Sequence, residues 1–179
     1  MQEIEVKILD IKRVELENKL KNLGAKKVFD GEIKAENFDF EDERITRSKD
    51  LLRLRKEGEK AVLTFKKFTG ETKDVKSLKE IEVEVSDLNI MKEILEELKL
   101  IPMNNTRKLR TSYALEGVKF EFDKYLDEND FIPEFLEIEA HDIIILYKYV
   151  TLLGFKKEDC KSWNYFDVKK HYLSTWKAP

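Results

Sequence analysis

The chain has 179 residues, enough to bury the core of one generous domain. Of these, 41% are hydrophobic and 40% charged, and 34 Lys and Arg against 37 Asp and Glu give a net charge of -3, which excludes a uniformly basic nucleic-acid-binding surface. The single cysteine, Cys160, excludes an internal disulfide, and with only His141 and His171 beside it a zinc or transition-metal site is unconvincing, so any metal should be oxygen-ligated. The chain opens without a basic segment leading into an apolar one, and no apolar run reaches bilayer length; the expectation is a cytoplasmic protein with no membrane partner.

In chain order, the first predicted element is a strand over residues 3–9, in which Glu3, Glu5 and Lys7 alternate with Ile4, Val6 and Ile8. Asp10 is placed to N-cap an amphipathic helix that ends at Gly24. Strands follow over 51–56 and 61–68, joined at Gly58-Glu59 in a hairpin-like connection. The pattern of the first unit then returns at Glu80, Glu82 and Glu84, with Asp87 as the cap and Leu88, Met91, Ile94, Leu95 and Leu98 at helical spacing. Strands over 108–115 and 118–125 meet at Glu116-Gly117, and the acidic stretch 123–133 reads as a long loop. A third unit carries Glu137 and Glu139, then Asp142 and an apolar helix ended by Gly154, and a last helix is expected over 162–172. The sum is one α+β domain over 1–179, with about eight strands and helices outside.

Lys7 apart, the charged rows keep one sign of charge per strand on one parity. Acidic rows run through Glu3 and Glu5, through Glu80, Glu82 and Glu84, through Glu121 and Asp123, and through Glu137 and Glu139; basic rows hold Arg53 and Arg55, and Lys108 and Arg110, with Lys66 alone. Like charges two residues apart repel, so a solvated strand face is a poor account of so many such rows. The amphipathic helices must cover the apolar parity, which turns the charged parity into the interior of a curved or closed sheet. Carboxylates crowded there call for divalent cations, and the bases for a polyanion. Arg offers a planar fork to phosphate oxygens, and no glycine-rich phosphate loop is present to do that work instead.

These residues, in this order, resemble the CYTH superfamily of triphosphate tunnel metalloenzymes, which includes class IV adenylyl cyclases and thiamine triphosphatases. Glu3-x-Glu5-x-Lys7 matches its ExExK signature, followed by Leu52-Arg53-Leu54-Arg55, Leu63-Thr64-Phe65-Lys66, Glu80-Ile81-Glu82-Val83-Glu84, Lys108-x-Arg110, Asp123 and Phe135-Leu136-Glu137-Ile138-Glu139. The resemblance implies an antiparallel eight-stranded β-barrel or tunnel with a charged lumen, working with Mg2+ or Mn2+. It implies phosphate binding by Lys7, Arg53, Arg55, Lys66, Lys108 and Arg110, and metal ligation by Glu3, Glu5 and Glu137 with Glu139 or Asp123. Glu80 and Glu82 supply the acidic strand across the tunnel, and Glu3, Glu5 and Lys7 form the catalytic set. Departures from the family pattern are Lys66-Lys67-Phe68 where many relatives have Lys-Gly-Pro, Leu78 where they have Arg, and Pro133 at a common Gly; Lys79 has the wrong parity for the lumen. Ser162-Trp163 stands where many cyclase-like members have Ser-Tyr.

The implied substrate is a triphosphate: inorganic triphosphate, thiamine triphosphate or ATP. Hydrolysis and cyclisation of ATP to cyclic AMP share these motifs, and a non-catalytic polyphosphate binder is a third reading that has little use for the paired glutamates. A homodimer is compatible with the chain. His141, Phe38, Phe40, Trp163, Tyr165 and Cys160 are read as structural before functional.

Overall fold

A strand whose side chains alternate between charged and apolar has two unlike faces, and a closed barrel gives each face its own environment. The computed structural model describes residues 2–71 and 75–175. Its elements are β1 (Gln2–Ile8), α1 (Arg13–Asn22), β2 (Lys26–Asp39), α2 (Arg44–Arg47), β3 (Leu51–Glu57), β4 (Lys60–Glu71), β5 (Lys76–Val85), α3 (Leu88–Glu97), β6 (Ile101–Leu115), β7 (Val118–Tyr125), β8 (Phe135–Ala140), α4 (Ile143–Leu152) and α5 (Tyr165–Thr175). The strands close in the order β1-β5-β4-β3-β2-β6-β7-β8, and every pairing is antiparallel.

Register aligns the charged rows. Glu5 stands opposite Glu139 on one side and Lys76 on the other, Lys7 opposite Glu137, Glu137 opposite Glu121, Lys66 opposite Glu80, and Arg110 opposite Asp123. The apolar parity forms the core outside the barrel wall. Leu16 and Leu20 of α1 and Leu146, Tyr149 and Val150 of α4 pack on Val6, Ile8, Phe120, Phe122, Leu136 and Ile138. Leu95 of α3 packs with Phe38 and Leu54, and Val168 and Tyr172 of α5 with Tyr125 and Phe135. Among the described residues no helix is long and apolar enough to cross a membrane.

Several details differ from the sequence-based expectation. Asp87 and Asp142 cap their helices by accepting two backbone N–H groups each, but α1 starts later, with Lys12 at the cap, and Asp10 instead accepts from the Tyr172 hydroxyl at 2.9 Å. Asp10 has φ 52, so the chain turns there before the helix can begin. Gly24 and Gly154 follow α1 and α4 at φ +89 and +94, the left-handed exit that glycine takes without strain. α5 starts at Tyr165 rather than 162. Asn164 caps it, accepting from the N–H groups of Phe166 and Asp167 while Asp167 accepts from Asn164, because Lys161 is held in an extended bridge to Lys7. β2, unanticipated as a strand, pairs along most of β6, which begins at Ile101 rather than 108. Helical cover is incomplete: Ile81 and Val83 on the outer face of β5 are each 56% exposed.

Candidate active site

The inward rows meet in a cavity of about 610 Å3 lined by Glu3, Glu5, Lys7, Arg53, Arg55, Lys66, Glu80, Lys108, Arg110, Glu137 and Glu139. β1 delivers Glu3, Glu5 and Lys7 at successive inward positions, β3 Arg53 and Arg55, and β6 Lys108 and Arg110. Lys7 contacts Glu137 at 2.9 Å and Glu5 at 3.7 Å, and Lys66 bridges Glu80 at 2.9 Å and Glu3 at 3.0 Å. Burial works against both ammonium charges, yet Glu137 and Glu5 hold Lys7, and Glu5, Glu139 and Glu3 hold Lys66, above the ordinary lysine pKa.

Two bases are poorly compensated. Arg53 has a buried Nε without a hydrogen-bond partner among the described residues, and burial, then Arg55 and Arg110, push its pKa down. Burial and Arg110 do the same to Lys108, although Lys108 donates to Asp123 at 2.6 Å. Buried cations in this condition attract an anion.

The carboxylates are crowded in turn. One oxygen each of Glu3, Glu5 and Glu139 lies within 4.8 Å of the others, and the same holds for Glu121, Glu137 and Glu139; all five side chains are buried. Burial and then the Glu139 charge raise the Glu3 pKa, while Glu80, hydrogen-bonded to Glu3 and paired with Lys66, is held low against its own burial. Burial pushes Glu121 up to about 7 despite Arg110, whereas Lys7, Arg110 and Lys108 hold Glu137 well below the carboxylate range. Carboxylates raised first by burial and then by one another's charge, and offering only oxygen, fit a hard divalent cation of the Mg2+ or Mn2+ kind.

Three of the candidate metal ligands, Glu80, Glu82 and Asp123, lie outside these groups, Glu80 being paired with Lys66 at 2.9 Å. Asp123 is wholly buried behind the wall of bases, accepting from Lys108 and from Arg110 at 2.6 and 2.5 Å. Glu82 accepts from Arg55 at 2.8 Å and Thr64 at 3.0 Å, at the rim of a second depression that meets the first at Glu3, Glu80, Lys119 and Glu139. Conversely, Glu121, Lys76 and Lys119 line the cavity without having been assigned a role in it. Glu121 shares the inward parity of Asp123, and Lys76 that of Glu80, so strand alternation was the available signal. Of the residues read as structural, Phe38 and Cys160 are buried, while Tyr165 lies at the cavity wall beside Tyr125.

A family model described as CYTH domain matches residues 1–143. No curated protein matches the chain. Among solved structures, the PH1012 protein from Pyrococcus horikoshii OT3 is 26% identical, with a TM-score of 0.76 over 93% of this chain and 98% of its own. A candidate adenylate cyclase from Vibrio parahaemolyticus is 16% identical, with a TM-score of 0.76 over 94% and 97%. The candidate adenylyl cyclase HpAC1 from Hippeastrum, described as having a dominant triphosphatase activity, is 18% identical, with a TM-score of 0.64 over 99% and 98%. The last two likenesses are of fold.

Proposed function

The chain belongs to the CYTH domain family, and from that premise we propose that it is a divalent-metal-dependent triphosphatase that hydrolyses inorganic or organic triphosphates. The observation that carries this reading is the meeting, in one cavity, of buried carboxylate clusters with under-compensated Arg and Lys side chains. Neither half is balanced alone, and a metal-bound triphosphate balances both.

Glu3, Glu5, Glu121, Glu137 and Glu139 would hold the cation. Mg2+ or Mn2+ held there would neutralise phosphate charge. Arg53, Arg55, Lys66, Lys108 and Arg110, with Lys7, grip the phosphates and face the charge that grows on them during phosphoryl transfer. Rate enhancement then comes mainly from positioning and electrostatics. Asp123 keeps Lys108 and Arg110 aimed inward, and Glu82 does the same for Arg55. Cyclisation of ATP is a second reading. It draws on the same clamp and is favoured by a cavity end where Tyr125 and Tyr165 pack at 5.1 Å and could meet an adenine ring. Incubation of the purified chain with inorganic triphosphate, thiamine triphosphate and ATP, with and without Mg2+ or Mn2+, and identification of products separates the readings. Metal-dependent phosphate release supports hydrolysis, cyclic AMP with diphosphate supports cyclisation, and no turnover of any triphosphate contradicts both.

A further inference from the structure

The inward row of β5 begins with Lys76 and continues through Leu78 and Glu80. Lys76 stands opposite Glu5 in the β1–β5 register, and its side chain is 18% exposed. Its Nζ lies 3.8 Å from Glu5 Oε1, an ion pair beyond hydrogen-bond reach. Lys7 and Lys66 also approach Glu5, at 3.7 and 3.8 Å, but each has a closer carboxylate elsewhere: Glu137 for Lys7, Glu80 and Glu3 for Lys66. Three ammonium groups thus surround one carboxylate, and among the described residues Lys76 has the weakest compensation of the three.

That compensation falls further if Glu5 turns its oxygens to a cation, because the partner of Lys76 is then shared with a stronger charge. A group able to restore the balance must be an anion with accessible oxygens in the lumen, and a phosphate meets that requirement. β5 and β6 lie four places apart in the ring of eight strands, so Lys76 reaches the lumen from the wall opposite Lys108 and Arg110. We infer that Lys76 is a phosphate-binding residue that gives up Glu5 and engages the triphosphate when a divalent cation occupies the carboxylates. The inference rests on the triphosphate reading above and adds to it a residue that determines how tightly, and from which side, the substrate is held.

The competing role is a plain counter-ion for Glu5. Calorimetric titration of a methylene-bridged triphosphate, which resists hydrolysis, into the full chain distinguishes the two when run with and without Mg2+. Lys76→Ala should weaken binding about ten-fold with Mg2+ present and less without it, the loss of one charge-assisted contact. Lys76→Gln, which keeps a polar side chain of similar reach, should show the same loss if the alanine variant folds poorly, and Lys76→Arg should recover most of it. Lys67→Ala, at an exposed position on β4 outside the cavity, should match the unaltered chain. A counter-ion role predicts instead that Lys76→Ala and Lys76→Gln lower the metal-free unfolding temperature and leave triphosphate affinity unchanged, which overturns the inference. If the unaltered chain binds triphosphate and these variants bind it equally well, Lys76 alone is misassigned. If the unaltered chain does not bind it, the triphosphate reading falls and this inference with it.

Discussion

Glu5 lies 3.7 Å from Lys7 and 3.8 Å from both Lys66 and Lys76, and it belongs to one of the two close carboxylate groups. Replacing it with glutamine removes a charged metal ligand while nearly preserving shape, so folded Glu5→Gln protein should turn over triphosphate at least ~100-fold more slowly. Near-normal metal-dependent turnover by that variant would remove Glu5 from the metal site. Arg53 makes a different prediction, because like charges and burial already act against it. Arg53→Ala should weaken triphosphate binding by about ten-fold or more, while leaving the unfolding temperature of the ligand-free chain unchanged or higher. A ligand-free chain markedly destabilised by this change would mark Arg53 as structural. The pH dependence follows from Glu3 and Glu121, whose folded pKa values lie above the ordinary 4.5, with Glu121 at about 7. Over the interval above 4.5 the folded chain keeps protons that the unfolded chain has lost, so the stability of the metal-free protein falls as pH rises. A cation must displace those protons. Mg2+ affinity should therefore rise between about pH 6 and about pH 8, with proton release readable by calorimetry in buffers of different ionisation heat. Binding that releases no protons contradicts the assignment of these carboxylates.

At the scale of elements, what was legible depended on how local the determining interactions are. β1 declares itself because charge and apolarity alternate over residues 3–8, and β3, β5 and β8 because they alternate over 52–55, 80–85 and 136–139. β2 does not: Asp30, Gly31 and Glu32 fall together, and register shifts interrupt its ladder to β6, so its strand state depends on the partner strands and not on its own periodicity. Asp10 had the right residue type for a cap but sits in a left-handed turn two residues before the true cap, a distinction that rests on its contact with Tyr172 from the far end of the chain. Where the cap is real, its loss should be local. Asp87→Ala removes the acceptor for the Asn89 and Ile90 N–H groups and should cost about 1 kcal/mol of stability, with turnover per folded molecule unchanged. Chemical denaturation alongside the activity assay checks both halves, and a changed activity would mean that α3 communicates with the lumen.

For the molecule as a whole, barrel closure turns rows of repelling charge into a site. Parity along single strands pointed most of the charged rows inward, although of Glu80, Glu82 and Glu84 only Glu80 lines the cavity and Glu84 is exposed beside Lys60. The order of motifs was enough to suggest the family. What could not be read from single strands was the register between them, which decides that Glu121 joins Glu137 and Glu139, that Asp123 is consumed by Lys108 and Arg110, and that Lys76 faces Glu5. The central claim is that this enclosed lumen is built for a triphosphate held with a divalent cation. Thermal unfolding in moderate salt with Mg2+, comparing hydrolysis-resistant triphosphate and diphosphate analogues with monophosphate, tests it most directly. A ligand at ~100 times its dissociation constant adds about 2.7 kcal/mol, which for a chain of this size raises the midpoint by about 5–10 °C. The account predicts a shift of that size for triphosphate, a smaller one for diphosphate and the smallest for monophosphate, because fewer oxygens reach the opposed bases. Midpoints that do not distinguish the three anions would contradict it, since weak, salt-screened binding without regard to chain length is the behaviour of exposed surface charge.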